Sequence, residues 1–64
     1  MPFVIVEMWE GRTQEQKKQL AREITQAFVK VGTPAEAVQI ILKDNAKSNW
    51  CIAGIPASES TTKR

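Results

Sequence analysis

The sequence predicts a small βαβ subunit of the α/β (α+β) class, in which a helix joins two strands. Residues 3–9 form a mostly apolar run of β-branched and aromatic types, which is typical of a strand covered on both faces. Residues 38–43 form a second run of this kind. Between them, apolar residues recur at three- and four-residue steps, which indicates an amphipathic helix. We therefore expect two parallel strands with a right-handed helical crossover.

The intervening helix has a start signal and a stop signal. Thr13 at the N-cap and Gln16 three residues later match the capping-box pattern, and Gly32 ends a helix of roughly 18 residues. Residues 33–36 repeat the capping pattern with Pro34 at the first helical position, so a short turn precedes the second strand. The residues of the predicted apolar stripe are Leu20, Ile24, Ala27, Phe28 and Val31.

The carboxyl-terminal part predicts a hairpin and a tail. Residues 44–54 mix polar and turn residues around an apolar Trp50-Cys51-Ile52, which indicates a loop leading into a short hairpin that reaches another subunit. Residues 59–64 are polar and charged, and we expect a flexible tail there. The folded domain is therefore predicted over residues 2–58.

The short chain predicts an oligomer. A domain of 64 residues is marginal without added stabilisation. One cysteine and no histidine exclude an intrachain disulfide and the common zinc ligand sets. Two strands alone also make too narrow a sheet. Association with other subunits remains, and we expect neither a metal nor another cofactor.

Composition argues against nucleic-acid and membrane partners. The net charge is only +2, and the nine Lys and Arg residues are spread along the chain without a cluster beside aromatic residues, as a small basic nucleic-acid module would need. No apolar run approaches the roughly 18 residues of a membrane span, and residues 1–10 do not resemble a signal peptide. We expect a soluble, cytoplasmic protein.

The chain has few groups that can perform catalysis. Histidine is absent, the seven carboxylates show no acid/base spacing, and Cys51 lacks a histidine to activate it. Removal of the initiator methionine would leave a secondary amine on Pro2. Such an amine titrates nearer neutrality than lysine, and an apolar pocket with nearby cations lowers its pKa further. From chemistry alone, Pro2 is more simply the residue that begins a strand.

The amino-terminal half carries a family resemblance. Pro2, the apolar strand after it, and the run Glu-Gly-Arg-Thr-Gln-Glu-Gln-Lys at residues 10–17 resemble the signature of the 4-oxalocrotonate tautomerase family. Weaker similarity continues through residues 46–47 and 50–54. The resemblance implies a homo-oligomer of βαβ subunits, assembled as a dimer-based hexamer.

The resemblance also implies a function and site residues. Pro2 would act as general base and then acid, moving a proton between the hydroxyl of a 2-hydroxy-dienoate or enol acid and a carbon of its conjugated chain. Arg12 would bind a substrate carboxylate from an adjacent subunit, with paired donors suited to it. Trp50 would wall the site and keep it dry, whereas Trp9 is more simply a core or interface aromatic.

One position departs from the family pattern. Gln39 stands where 4-oxalocrotonate tautomerases have a second arginine, so it offers a hydrogen bond without charge. The resemblance implies 2-hydroxymuconate-like substrates, but Gln39 argues against efficient use of the dicarboxylate itself, so a promiscuous tautomerase of monocarboxylate enols such as phenylenolpyruvate is one alternative. An inactive assembly subunit is the other alternative, since a retained Met1 would make the Pro2 nitrogen an amide. Trp9 and Ile52 stand where haloacrylate-hydrating relatives would carry arginine and glutamate, so dehalogenation is not expected.

Overall fold

The computed structural model describes residues 2–59, and it has the predicted fold class. Strand β1 (Phe3–Trp9), helix α1 (Gln14–Lys30) and strand β2 (Gln39–Asn45) form the βαβ unit. The predicted hairpin follows as strands β3 (Cys51–Ile52) and β4 (Ile55–Pro56), which pair antiparallel. Within residues 2–59, three 3-10 turns lie at Ala35–Ala37, Lys47–Asn49 and Ala57–Glu59. The predicted tail lies, apart from Glu59, outside the described residues.

The start of α1 confirms the capping box. The Thr13 hydroxyl accepts a hydrogen bond from the Gln16 amide at 3.1 Å, and the Gln16 side chain accepts one from the Thr13 amide at 2.9 Å. Two of the amides that a helix start leaves without partners are thereby satisfied. The helix ends at Lys30 with Val31 as its cap. Gly32 follows with φ +102°, a conformation that favours glycine.

The two long strands are parallel, with Phe3 opposite Gln39 at one end and Trp9 opposite Asn45 at the other. Strand β2 begins one residue later than predicted because the Val38 amide donates to the Ala35 carbonyl and closes the preceding turn. It also runs two residues further than predicted. The Glu10 amide donates to the Asn45 carbonyl at 2.9 Å, so the ladder continues through two polar residues.

Helix α1 covers one face of the sheet. Along β1 the exposed and half-buried positions alternate, and Met8 lies on the better-buried face. Asp44 lies opposite Met8, and it forms an ion pair with Lys17 of α1, so the helix packs on this face. Lys17 is half-buried in this contact.

The opposite face of the sheet is open in the single chain. Phe3, Ile5 and Ile41 lie there with 56%, 52% and 43% of their surface exposed. The prediction that β1 is covered on both faces is thus wrong for one subunit. Within residues 2–59, Met8 is the one buried apolar side chain. A core this small agrees with the expectation that the subunit needs a partner.

The predicted helix stripe is covered only in part. Leu20, Ile24 and Phe28 are half-buried, whereas Ala27 is exposed and Val31, just past the helix, is 77% exposed. The stripe therefore extends beyond the surface that one sheet covers. Among residues 2–59, no helix combines the length and the hydropathy needed to span a membrane.

Candidate active site

The structure brings two of the four predicted site residues together at the amino-terminal end of the sheet. Pro2 directly precedes β1 and is half-buried, and Gln39 begins β2 and is exposed. The Gln39 amide donates a hydrogen bond to the Pro2 carbonyl at 3.1 Å. The side chain of Gln39 is not needed for this bond. It shares the open face of the sheet with Phe3, because these two residues lie opposite each other.

The other two predicted residues lie at the carboxyl-terminal end of β1. Gly11, with φ +122°, turns the chain after the strand, and the Arg12 Nη1 donates to the Trp9 carbonyl at 3.3 Å. Trp50 meets Trp9 edge to face, with ring centroids 5.8 Å apart and planes at 78°. The Ala57 amide donates to the Trp50 carbonyl at 2.7 Å and ties the end of the hairpin to this position. Arg12 and Trp50 thus share one end of the subunit, with Trp9 between them.

A third residue of this end had no predicted role. The Lys47 Nζ lies over the Trp9 ring, 4.7 Å from its centroid, which is a cation–π contact. The contact depends on the 3-10 turn Lys47–Asn49, which directs the chain from β2 to Trp50. A contact between residues so far apart leaves no local pattern in the sequence.

The charges of the sheet are distributed unevenly. Glu7, in the middle of the open face, lies 3.7 Å from Lys43 and accepts a hydrogen bond from Asn45 at 2.9 Å. Asp44 is paired with Lys17 on the other face. Within residues 2–59, no ion pair involves Arg12 or Lys47. Among the described residues, the two cations at the tryptophan end are therefore not engaged in ion pairs, unlike Lys17 and Lys43.

The indole nitrogen of Trp9 is a further donor at this end. It is buried and has no hydrogen-bond partner in the described part of the chain. Buried donors of this kind normally have a protein, water or ligand acceptor. Arg12, Lys47 and Trp9 thus offer donors only, which suits an anion.

The two ends are too far apart to form one site within a chain. Strand β1 has seven residues, and at 3.3 Å per residue its ends are about 20 Å apart. Pro2 and Gln39 lie before and beside its start, whereas Arg12 and Trp50 lie beyond its last residue. One chain therefore does not bring all four predicted residues together. Cys51 and Ile52 are exposed on the hairpin, and within residues 2–59 no group of three or more acidic or cysteine side chains has a metal-binding arrangement.

Comparison with known proteins identifies the class to which this arrangement belongs. A family model described as tautomerase enzyme matches residues 2–59. A 2-hydroxymuconate tautomerase from Comamonas testosteroni is 45% identical over 60 residues, which span 92% of this chain and 95% of the relative. A solved 4-oxalocrotonate tautomerase isozyme from Methylibium petroleiphilum superimposes with a TM-score of 0.82 at 41% identity, covering 89% of this chain and 94% of its own.

A second solved structure supplies information on assembly. It is a heterohexameric 4-oxalocrotonate tautomerase from Chloroflexus aurantiacus, with a TM-score of 0.84 at 32% identity, covering 92% of this chain and 97% of its own. Together, the family model and these relatives show that the chain belongs to the tautomerase superfamily, in its 4-oxalocrotonate tautomerase family. Its relatives include enzymes named for the tautomerisation of 2-hydroxymuconate.

Proposed function

We propose that this protein is an isomerase that interconverts the enol and keto forms of 2-hydroxy-dienoates and related 2-oxo acids, with the amine of Pro2 as acid/base catalyst. The observation that carries the proposal is the position of Pro2. It lies half-buried at the start of β1, beside Phe3 on an apolar strand, and it is held to β2 through its carbonyl while its nitrogen takes no part in the ladder. The similarity to 2-hydroxymuconate tautomerases gives the reaction class.

The reaction is a balanced proton transfer. The free Pro2 nitrogen takes the proton from the 2-hydroxyl group, and the electrons of that O–H bond form the carbonyl π bond. The displaced C=C π electrons shift along the conjugated chain and form a C–H bond with the proton that the Pro2 ammonium returns. Nothing is oxidised and no group is lost. A partly apolar environment disfavours the ammonium form and so lowers the pKa of the amine, which makes Pro2 a base near neutral pH. This chemistry requires removal of Met1.

The proposal includes a homo-oligomer, most simply a hexamer. The Pro2 end and the Arg12 end of one chain lie about 20 Å apart, so a complete site needs the two ends from different copies. The exposed Phe3, Ile5 and Ile41 provide an apolar face for such contact. The similar Chloroflexus aurantiacus enzyme is a heterohexamer, which supports the stoichiometry.

In this site Arg12 would bind the substrate carboxylate, and Trp50 would exclude water from one side of the conjugated chain. Gln39, next to Pro2, would offer a neutral hydrogen bond to the end of the substrate away from Arg12, where a dicarboxylate carries its second carboxylate. The charge-assisted contact of an arginine is worth about 1.5 to 3 kcal/mol, and a neutral donor recovers only part of it. We therefore propose a preference for monocarboxylate enols, of which phenylenolpyruvate is one, over 2-hydroxymuconate.

One set of measurements tests this proposal. The intact mass shows whether Met1 has been removed, and purified protein is assayed with 2-hydroxymuconate and phenylenolpyruvate before and after acylation of the amine. We expect the mass of the Pro2 form, turnover of at least phenylenolpyruvate, and loss of turnover on acylation. A retained Met1 together with no turnover of either substrate would instead indicate a subunit that serves assembly only.

A further inference from the structure

Lys47 is exposed, yet both its backbone and its side chain are held in place. The turn that carries it is closed by two backbone hydrogen bonds, from the Asn49 amide to the Ala46 carbonyl at 2.9 Å and from the Trp50 amide to the Lys47 carbonyl at 3.2 Å. Its ammonium group lies over the ring of Trp9, 4.7 Å from the centroid. The same tryptophan contacts the ring of Trp50. The turn thus fixes the backbone of Lys47, and the ammonium group contacts the last residue of β1.

Arg12, which lies three residues after Trp9 in the sequence, contacts the same tryptophan. Its Nη1 donates to the Trp9 carbonyl at 3.3 Å, and only some of the guanidinium donors are used there. Neither Arg12 nor Lys47 forms an ion pair within residues 2–59. By contrast, Lys17 and Lys43 each have a carboxylate partner. Both cations therefore contact Trp9, one at its carbonyl and one at its ring, and positive charge gathered at one end of the sheet attracts an anion.

We propose that Lys47 is a second cationic substrate-binding residue, which holds the substrate carboxylate together with Arg12 while Trp9 serves as its platform. This inference rests on the proposed function, because the anion is taken to be the carboxylate of the enol acid. Lys47 supplies charge at the Arg12 end of the site. It does not replace the charge absent at Gln39, which lies at the other end of β1 in its own chain. The carboxylate-binding end is then doubly charged, and the Pro2 end is nearly neutral.

This arrangement has a direct consequence for substrate selection. One carboxylate is bound by two cations, whereas a second carboxylate on the same substrate would extend toward Gln39 and find no cation there. A monocarboxylate with an uncharged, planar far end fits both halves. The edge-to-face indoles of Trp9 and Trp50 provide apolar surface beside the bound carboxylate.

The test uses the intrinsic fluorescence of the protein. The chain has two tryptophans, Trp9 and Trp50, and both belong to this cluster. Sorbate, a planar dienoate that cannot tautomerise in this way, is titrated into the purified oligomer, and 2,4-hexadien-1-ol is titrated as the uncharged control. We expect a saturable fluorescence change with sorbate and a much weaker response to the alcohol.

The variants separate charge from packing. Lys47→Gln and Lys47→Met both remove the charge, and Met keeps an apolar stem on the Trp9 ring. Both should weaken sorbate binding about tenfold, the usual effect of losing one charge-assisted contact. Lys47→Arg should retain most of the affinity. Lys18→Gln is the matched control, since Lys18 is exposed on α1 and lies 4.0 Å from Glu15. It should bind sorbate like the wild type.

Kinetics provide a second readout for the same variants. Loss of the Lys47 charge should raise KM for phenylenolpyruvate about tenfold with little change in kcat, because binding of the carboxylate is the same in ground and transition states. Sedimentation confirms that each variant keeps the oligomer. Equal sorbate affinity and equal KM in wild type and Lys47→Gln would overturn the role of Lys47, even if acylation of Pro2 abolishes turnover. Lys47-dependent sorbate binding in a protein without turnover would contradict the catalytic proposal and leave the anion site standing.

Discussion

The Gln39 amide donates a hydrogen bond to the Pro2 carbonyl, with 3.1 Å between the two atoms. The bond joins the candidate catalytic residue to the position at which the chain departs from its family pattern. Because it uses main-chain atoms only, it does not depend on the side chain at position 39. Gln39 is also exposed, so a longer side chain does not displace the core. Substitution there should change the chemistry of the site and preserve the pairing of the strands.

Replacing Gln39 by arginine should shift the substrate preference toward the dicarboxylate. If the new guanidinium makes one charge-assisted contact in the transition state, kcat/KM for 2-hydroxymuconate should rise roughly 10- to 100-fold. Phenylenolpyruvate, which lacks the second carboxylate, should gain much less. Steady-state kinetics with both substrates on both proteins measures the change.

The control for this prediction is Gln26→Arg, which adds the same charge on the exposed surface of α1. It should leave the ratio of the two kcat/KM values unchanged. If the wild-type protein already turns over 2-hydroxymuconate near the diffusion limit, Gln39 does not limit use of the dicarboxylate and the prediction is wrong.

Pro2→Ala should lower kcat/KM by about 10- to 100-fold, since the primary amine is less rigid and differs in basicity, while some base catalysis remains. The reaction needs the neutral amine. The rate for wild type should therefore rise with pH through the pKa of the amine and level off above it, and the midpoint should move in Pro2→Ala. An identical pH profile in the two proteins would assign the rise in rate to another group.

The Lys17–Asp44 pair should contribute measurably to stability. Its side chains are 22% and 33% exposed, so solvent screens it only in part, and we expect Asp44→Asn to lower the free energy of unfolding by about 1 kcal/mol. Denaturant unfolding at a fixed protein concentration measures this change, because the concentration affects the apparent stability of an oligomer.

Lys18→Gln provides the comparison for that pair. It removes the Lys18–Glu15 contact, which is 4.0 Å long with side chains 58% and 86% exposed, and it should cost about 0.3 kcal/mol or less. Equal effects of the two substitutions would show that Lys17–Asp44 is no stronger than an ordinary surface pair.

The sequence predicts the elements that depend on neighbouring residues. The capping box at Thr13 and Gln16 is a contact over three positions, and the structure confirms both of its hydrogen bonds. Strand β1 also has the predicted bounds. The end of β2 was missed because Asp44 and Asn45 are polar. Their place in the strand depends on Lys17 and on Glu10, which meet them only in the folded chain.

The candidate site also combines features that the sequence predicts with contacts that form only in the folded chain. Resemblance supplies the residue types at positions 2, 12, 39 and 50, but their distribution over two ends of the sheet becomes visible only with the register of β1 and β2. The contact of Lys47 with Trp9 depends on the path of a 3-10 turn, and no spacing in the sequence indicates it. The mostly apolar character of β1 predicted cover on both faces. Within one subunit the helix covers only one face of the sheet. The apolar residues on the other face therefore indicate contact with another subunit.

That open face gives the last prediction, which concerns the oligomer. Ile5 is 52% exposed on the face of the sheet away from α1, and if copies of the chain pack there, a carboxylate at this position becomes buried without a partner. Ile5→Glu should lose about 1 kcal/mol of apolar burial per subunit and add a larger cost of desolvating charge. Sedimentation at micromolar concentration should show smaller species than for the wild type. Turnover should fall with the assembly, because Pro2 of one copy would lose Arg12 of another.

The control is Gln26→Glu, which adds the same group to the exposed surface of α1 and should keep both the oligomer and the rate. A stable, fully active monomer of Ile5→Glu would show that Pro2 does not need Arg12 of another copy.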